Sequence, residues 1–164
     1  MTVTLVLGGA RSGKSCYAEG LAHGRKVYIA TAQAFDDEMR ERIARHRGQR
    51  GEGWETVEAP LDLVEAVRVV RGGETVLVDC ITVWLGNLMH HERDIGSEVA
   101  DLCAALKSAT ADIVIVSNEV GLSIVPENAL ARRFRDEQGL ANQRLAEVAD
   151  HVVFVAAGLA LKLK

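Results

Sequence analysis

Residues 8–15 read Gly-Gly-Ala-Arg-Ser-Gly-Lys-Ser, which satisfies the pattern G-x-x-x-x-G-K-[ST] at every position. Glycines at this spacing let successive backbone N–H groups converge on a phosphate. The start of a following helix adds partial positive charge there, and a lysine adds a full one. Ser15 stands where such loops ligate Mg²⁺. Gly8, Gly9, Ala10, Arg11, Ser12, Gly13, Lys14 and Ser15 are therefore candidate nucleotide-binding residues, with Lys14 also a catalytic candidate and Ser15 a metal candidate.

A further apolar run, Thr75-Val76-Leu77-Val78-Asp79, ends in a carboxylate. A carboxylate at the end of a buried strand is how phosphate-loop proteins hold Mg²⁺, although a turn-forming Asp gives the same local pattern. Thr82, just beyond it, is a further candidate for the same pocket. The run Asp112–Val116 leads into Ser117-Asn118-Glu119-Val120-Gly121. Loops at the carboxyl ends of parallel strands line the ligand crevice, so Asn118 and Glu119 are expected to face nucleotide or acceptor. Glu119 can take the proton of an attacking hydroxyl or position Mg²⁺; a polar helix-capping loop accounts for these residues equally well.

Between Asp36 and Arg47 acids come first and bases last, as a helix dipole favours, with Met39 and Ile43 as an apolar stripe. Arg42 lies one helical turn before His46, Arg45 and Arg47 flank it, and Arg50 follows. Clustered cations disfavour imidazolium and keep such a ring neutral near pH 7. A neutral imidazole is a competent nucleophile toward phosphorus, and guanidinium groups can hold the phosphates of a group in transfer. Read from composition alone, the same stretch is a solvated basic helix end. His23, His90, His91 and His151 have no comparable setting and are read as structural or surface residues.

These residues need a scaffold that gathers distant segments. Short apolar runs at Val3–Leu7, Lys26–Ala30, Thr75–Asp79, Asp112–Val116 and His151–Ala156 read as buried strands. Helical spacing lies between them at Ser15–His23, Asp36–Arg47, Leu61–Val70, Ile95–Ala109 and Glu127–Ala149. Alternation of this kind predicts βαβ units and a mainly parallel sheet covered on both faces. Arg47–Glu58, with Gly48, Gly51 and Gly53, reads as a mobile loop running into a short extended piece. The tail Leu159–Lys164 alternates like a half-exposed edge strand.

The 164 residues suit one domain, 1–164, at ~100–200 residues per domain. With 48% apolar and 26% charged residues the composition is globular, which excludes disorder and collagen-like structure. A net charge of -4 argues against a surface that coats nucleic acid. Cys16, Cys80 and Cys103 are odd in number and lack a C-x-x-C pair, excluding a disulfide framework and fitting a reducing compartment. The N-terminal apolar run has no basic flank and is far shorter than the ~20 residues of a membrane span, so the expectation is a cytoplasmic protein with no membrane span. No Asn-Lys-x-Asp guanine-reading signature is present, which favours a small-molecule phosphotransferase over a regulatory GTPase.

The chain resembles the bifunctional adenosylcobinamide kinase/adenosylcobinamide-phosphate guanylyltransferase family of cobalamin biosynthesis. The resemblance is carried by residues 8–15, Tyr-Ile-Ala-Thr-Ala-Gln at 28–33, the Asp-Asp-Glu-Met run through His46 and Val-Asp-Cys-Ile-Thr at 78–82. It continues through Ser-Asn-Glu-Val-Gly at 117–121, Ile-Val-Pro-Glu-Asn at 124–128, Arg-x-Phe-Arg-Asp at 132–136 and Asn-Gln-Arg-Leu-Ala at 142–146. It implies a RecA-like α/β P-loop NTPase fold. It also implies phosphorylation of adenosylcobinamide by a nucleoside triphosphate, ATP or GTP, followed by GMP transfer from GTP to adenosylcobinamide phosphate with release of pyrophosphate. His46 falls on the family's guanylylated nucleophile. Thr31, Ala32 and Gln33, with Arg47, Gly48, Gln49 and Arg50, are implied as further nucleotide contacts, Mg²⁺ as the metal and a homotrimer as the assembly. Asp79 stands where some relatives carry Glu. The alternatives at this level are a P-loop kinase of another small alcohol and a GTP-binding regulatory module.

Overall fold

The computed structural model describes residues 1–33 and 53–164. In chain order these form β1 (Val3–Gly8), α1 (Lys14–Gly20), β2 (Arg25–Ala30), β3 (Trp54–Glu58), α2 (Leu63–Arg68) and β4 (Glu74–Asp79). There follow α3 (Ile81–His90), α4 (Ile95–Ser108), β5 (Asp112–Asn118), α5 (Ala129–Val148), β6 (His151–Ala156) and β7 (Leu159–Lys162). The expected helix Asp36–Arg47 lies outside the described residues.

The strands make one seven-stranded sheet in the order β3-β2-β4-β5-β1-β6-β7. Every neighbouring pair is parallel except β6–β7, a hairpin that places the C-terminal strand at the edge, as its alternation predicts. Side chains alternate across the sheet. Leu5, Leu7, Val27, Ile29, Val76, Val78, Ile113 and Ile115 join the larger core under α2, α3, α4 and α5. Val6, Tyr28, Leu77, Val114, Val116, Val153 and Val155 point the other way, against Ala18 of α1. Burial on both faces explains why these strands read as continuous apolar runs.

Three helices differ from the sequence reading by two residues or more at an end, and one helix is new. α1 stops at Gly20, short of the expected His23, where the chain turns through Leu21 toward Gly24 at φ 64°. α2 is shorter than Leu61–Val70, and α5 starts at Ala129 because the Asn128 side chain accepts the N–H groups of Leu130 and Ala131 as an N-cap. α3 is not among the helices expected from sequence. Its Ile81, Trp84, Leu85 and Leu88 are fully buried at helical spacing, but Ile-Thr-Val directly after an apolar strand reads as more strand.

Candidate active site

The phosphate-loop sequence lies between β1 and α1, where the sequence reading puts it. The loop folds back on itself: Ser12 N–H donates to Gly9 O at 3.4 Å, and Lys14 Nζ to the same carbonyl at 3.1 Å. Two of its glycines, Gly8 and Gly13, are demanded by geometry. A Cβ on Gly8 would lie 2.5 Å from Ser12 Oγ and 2.6 Å from the Val155 carbonyl, and Gly13 has φ 95°. The loop is braced from behind by the β6–β7 turn, whose Gly158 N–H donates to Ser12 O at 2.8 Å. That brace had no sequence signal beyond a turn glycine.

Strand order brings the other candidates to the same edge of the sheet. Gly8 is in register with Asn118, Val116 with Asp79, and Asp79 with Ala30. Glu119 N–H donates to Gly8 O at 3.1 Å, tying the end of β5 to the phosphate loop, while Glu119 Oε1 accepts from Gly121 N–H at 2.6 Å. Thr82 Oγ1 accepts the Asn118 N–H at 2.9 Å, so Thr82 couples the first turn of α3 to the same loop. Arg132 of α5 holds the far side of that loop, donating to Pro126 O at 2.9 Å and Glu127 O at 2.6 Å.

Asp79 ends β4 on the sheet face that carries α1, and Tyr28 Oη donates to its Oδ2 at 2.7 Å. The neighbouring Cys80 thiol is pushed up to about 11, first by burial and then by the Asp79 charge, with Lys14 pulling the other way. Asp79 and Lys14 thus act on one thiol in opposite directions. The donors that α1 and β4 offer, the Ser15 hydroxyl and the Asp79 carboxylate, are hard oxygens of the kind Mg²⁺ takes, so these residues fit that ion.

Thr31 is fully buried, and its hydroxyl is engaged twice by Cys80, donating to the carbonyl at 2.9 Å and accepting the N–H at 2.8 Å. Its side chain anchors the β2 terminus to β4, and Ala32 and Gln33 follow it. Among the described residues, Ser12 Oγ, Gln33 Oε1, Asn118 Oδ1 and Gln138 Oε1 are buried without a hydrogen-bond partner. The first three come from the phosphate loop, the β2 end and the β5 end. Unmet polar atoms at one sheet edge mark a place made for a polar ligand.

Behind β5 the sequence reading missed a buried polar cluster. Ser117 Oγ donates to Asn142 Oδ1 at 2.6 Å, Gln138 Nε2 to Ser117 Oγ at 2.9 Å and Asn142 Nδ2 to Asn118 O at 3.1 Å. Gln138, Ala141, Asn142 and Leu145 are buried at i, i+3, i+4 and i+7, a helical stripe two of whose members are polar. His46, Arg47, Gly48, Gln49 and Arg50 lie outside the described residues. His23, His90, His91 and His151 are all exposed, and no cluster of metal-ligating side chains occurs among the described residues.

A phosphate loop after β1, an acid as the last residue of β4 and β5 between those two strands define a RecA-like P-loop NTPase fold. The flagellar accessory protein FlaH of Methanocaldococcus jannaschii is similar across 99% of this chain and 78% of its own, with a TM-score of 0.54 at 14% identity. The P4 protein of bacteriophage phi6, solved with ADP, is similar across 97% of this chain and 52% of its own, with a TM-score of 0.50 at 16% identity. The chain belongs to the cobinamide kinase / cobinamide phosphate guanyltransferase family, whose profile matches residues 4–163. It is 46% identical to the bifunctional adenosylcobalamin biosynthesis protein CobP of Pseudomonas aeruginosa, over 98% of this chain and 96% of that protein. It is 42% identical to the corresponding CobU of Escherichia coli, over 98% of both chains. The protein is a bifunctional enzyme, a cobinamide kinase and cobinamide phosphate guanylyltransferase of adenosylcobalamin biosynthesis. No described helix is long and apolar enough to cross a membrane.

Proposed function

We propose that both reactions use the crevice at the carboxyl edge of the sheet, with residues 8–15 cradling a nucleoside triphosphate. In the kinase step the hydroxyl oxygen of adenosylcobinamide attacks the γ-phosphorus of ATP or GTP, its proton passes to Glu119, and the nucleoside diphosphate leaves. Lys14 stabilises the charge that builds on the phosphoryl oxygens. Ser15 and Asp79 hold Mg²⁺, which when bound neutralises phosphate charge. In the guanylyl step a ring nitrogen of His46 attacks the α-phosphorus of GTP and expels pyrophosphate. The phosphate oxygen of adenosylcobinamide phosphate then attacks the histidine-bound GMP, forming adenosylcobinamide-GDP and freeing the imidazole.

Ala32, Gln33, Thr82 and Arg47–Arg50 line the nucleotide in this reading, and Thr31 serves by holding the β2 terminus. The observation that carries it is that buried polar atoms of Ser12, Gln33 and Asn118 lack a hydrogen-bond partner at the carboxyl ends of β1, β2 and β5, with a complete phosphate loop at the first of these. We also assign a single catalytic domain, a cytoplasmic setting supported by three free cysteines, and a homotrimer. Leu159, Leu161 and Leu163 stand exposed along the C-terminal edge, apolar surface of the kind assembly covers.

Intact-protein mass spectrometry after incubation with Mg²⁺ and GTP, without corrinoid and with ATP as control, tests the covalent step. The expected result is a GMP adduct from GTP alone that is absent in His46→Ala. Folded, GTP-binding protein with no adduct would sink the histidine route.

A further inference from the structure

We infer that Tyr28 is a positioning residue that selects which carboxylate oxygen of Asp79 faces the metal site. The inference rests on the metal role proposed above for Asp79.

Strand register sets the geometry. Tyr28 pairs with Leu77 and Ala30 with Asp79 across β2 and β4, so Tyr28 and Asp79 lie diagonally on one face of the sheet, the face covered by α1. The ring is 5% exposed, and its hydroxyl donates to Asp79 Oδ2 at 2.7 Å. It cannot easily swing away, because the Trp54 ring meets it edge-on at 6.1 Å and 88°, with Lys26 Nζ 5.6 Å over the indole. Phe would fill the same space; the hydroxyl supplies the bond to the carboxylate.

An aspartate at a strand end turns about its last torsion with little preference, and its two oxygens are then equivalent. Mg²⁺ demands near-ideal octahedral geometry and keeps much of its water, so the carboxylate must present one oxygen along one direction. With Oδ2 held by the phenol, Oδ1 remains for a metal-bound water. Partners of ligating groups typically set metal affinity within a factor of about 10–100.

The test titrates Mn²⁺, followed by electron paramagnetic resonance, into wild type, Tyr28→Phe and Asp79→Asn, each saturated with a non-hydrolysable GTP analogue. Kinase rate against Mg²⁺ concentration is measured in parallel. Tyr28→Phe is expected to weaken Mn²⁺ binding about tenfold and to raise the Mg²⁺ concentration for half-maximal rate by a similar factor. The rate at saturating Mg²⁺ should fall far less. Asp79→Asn should weaken Mn²⁺ binding at least as much. Wild-type metal affinity in Tyr28→Phe alongside weak binding in Asp79→Asn overturns the role of Tyr28 and leaves that of Asp79 standing. Wild-type affinity in both variants removes the metal role of Asp79 itself. A lower saturated rate in Tyr28→Phe with unchanged affinity reduces Tyr28 to packing and also overturns the inference.

Discussion

Asn87 donates one amide proton to the Thr31 carbonyl at 2.8 Å and another to the Pro60 carbonyl at 2.9 Å. One buried side chain of α3 thus fixes the chain where it leaves β2 and again where it has passed β3. Trp84, one turn earlier, adds a bond from Nε1 to Leu61 O at 2.9 Å. Helix α3 therefore ties together the segments that leave the carboxyl ends of two neighbouring strands, β2 and β3.

Replacing Asn87 with Leu keeps much of the volume and removes both donors. Two carbonyls in a 4% exposed site then lose their partners, at about 1–3 kcal/mol each. We expect urea unfolding to report a loss of roughly 3 kcal/mol. A stability within 1 kcal/mol of wild type, on the order of a solvated hydrogen bond, would mean that water reaches these carbonyls.

Gly13→Ala tests the phosphate loop. Gly13 has φ 95°, where a side chain is strained, and its Cβ would lie 3.1 Å from Gly158 Cα. The loop must shift away from the β6–β7 turn that braces it. Misplacement by about 1 Å costs on the order of 10²-fold in rate, so kinase turnover and GMP-adduct formation should fall together by about that factor. A loss confined to one activity would show that the two reactions do not share this loop.

The phosphate-loop pattern between strand and helix, the strand that ends in Asp79 and the alternation behind the parallel sheet were legible in the sequence because each is a local pattern. Apolar runs announce buried strands, and Gly8–Ser15 is contiguous. What stayed hidden depends on pairing between distant segments. Gln138 and Asn142 occupy the buried stripe of α5 because Ser117 and Asn118 offer them partners, and no local pattern announces that pairing. Asn87 is hidden for the same reason. Tyr28 reads as strand core, and only the register of β2 against β4 shows that its hydroxyl reaches Asp79.

Cys80 gives the enzyme a pH dependence in alkaline solution. Its thiol is pushed up to about 11 in the folded chain against an ordinary value of 9.0, by burial first and Asp79 second. Below about pH 9 the thiol is protonated folded or unfolded and contributes nothing to the pH dependence. As pH rises from about 9 to about 11 the unfolded chain releases this proton while the folded chain keeps it. Stability therefore falls, by up to roughly 1.4 kcal/mol per pH unit from this group. Urea unfolding of wild type and Cys80→Ala at about pH 8 and pH 10 isolates the effect, and wild type should lose more than the variant. Equal losses would show that the buried thiol ionises as readily as a free one.

Thr82 separates a structural hydroxyl from a ligand-binding one. Its Oγ1 accepts the Asn118 N–H at 2.9 Å, and this bond joins α3 to the loop that carries Glu119. Thr82→Val preserves shape and orphans that N–H, at about 1–3 kcal/mol when water cannot replace the partner. The kinase rate should fall with it, because Glu119 loses a fixed support while the phosphate loop is untouched. Thr82→Ser restores the acceptor and should recover both stability and rate. Restoration of stability without rate would show that the methyl group matters to turnover beyond the hydroxyl. A Thr82→Val enzyme of unchanged stability and rate would place the support of Glu119 elsewhere, in its own bond to Gly8 O.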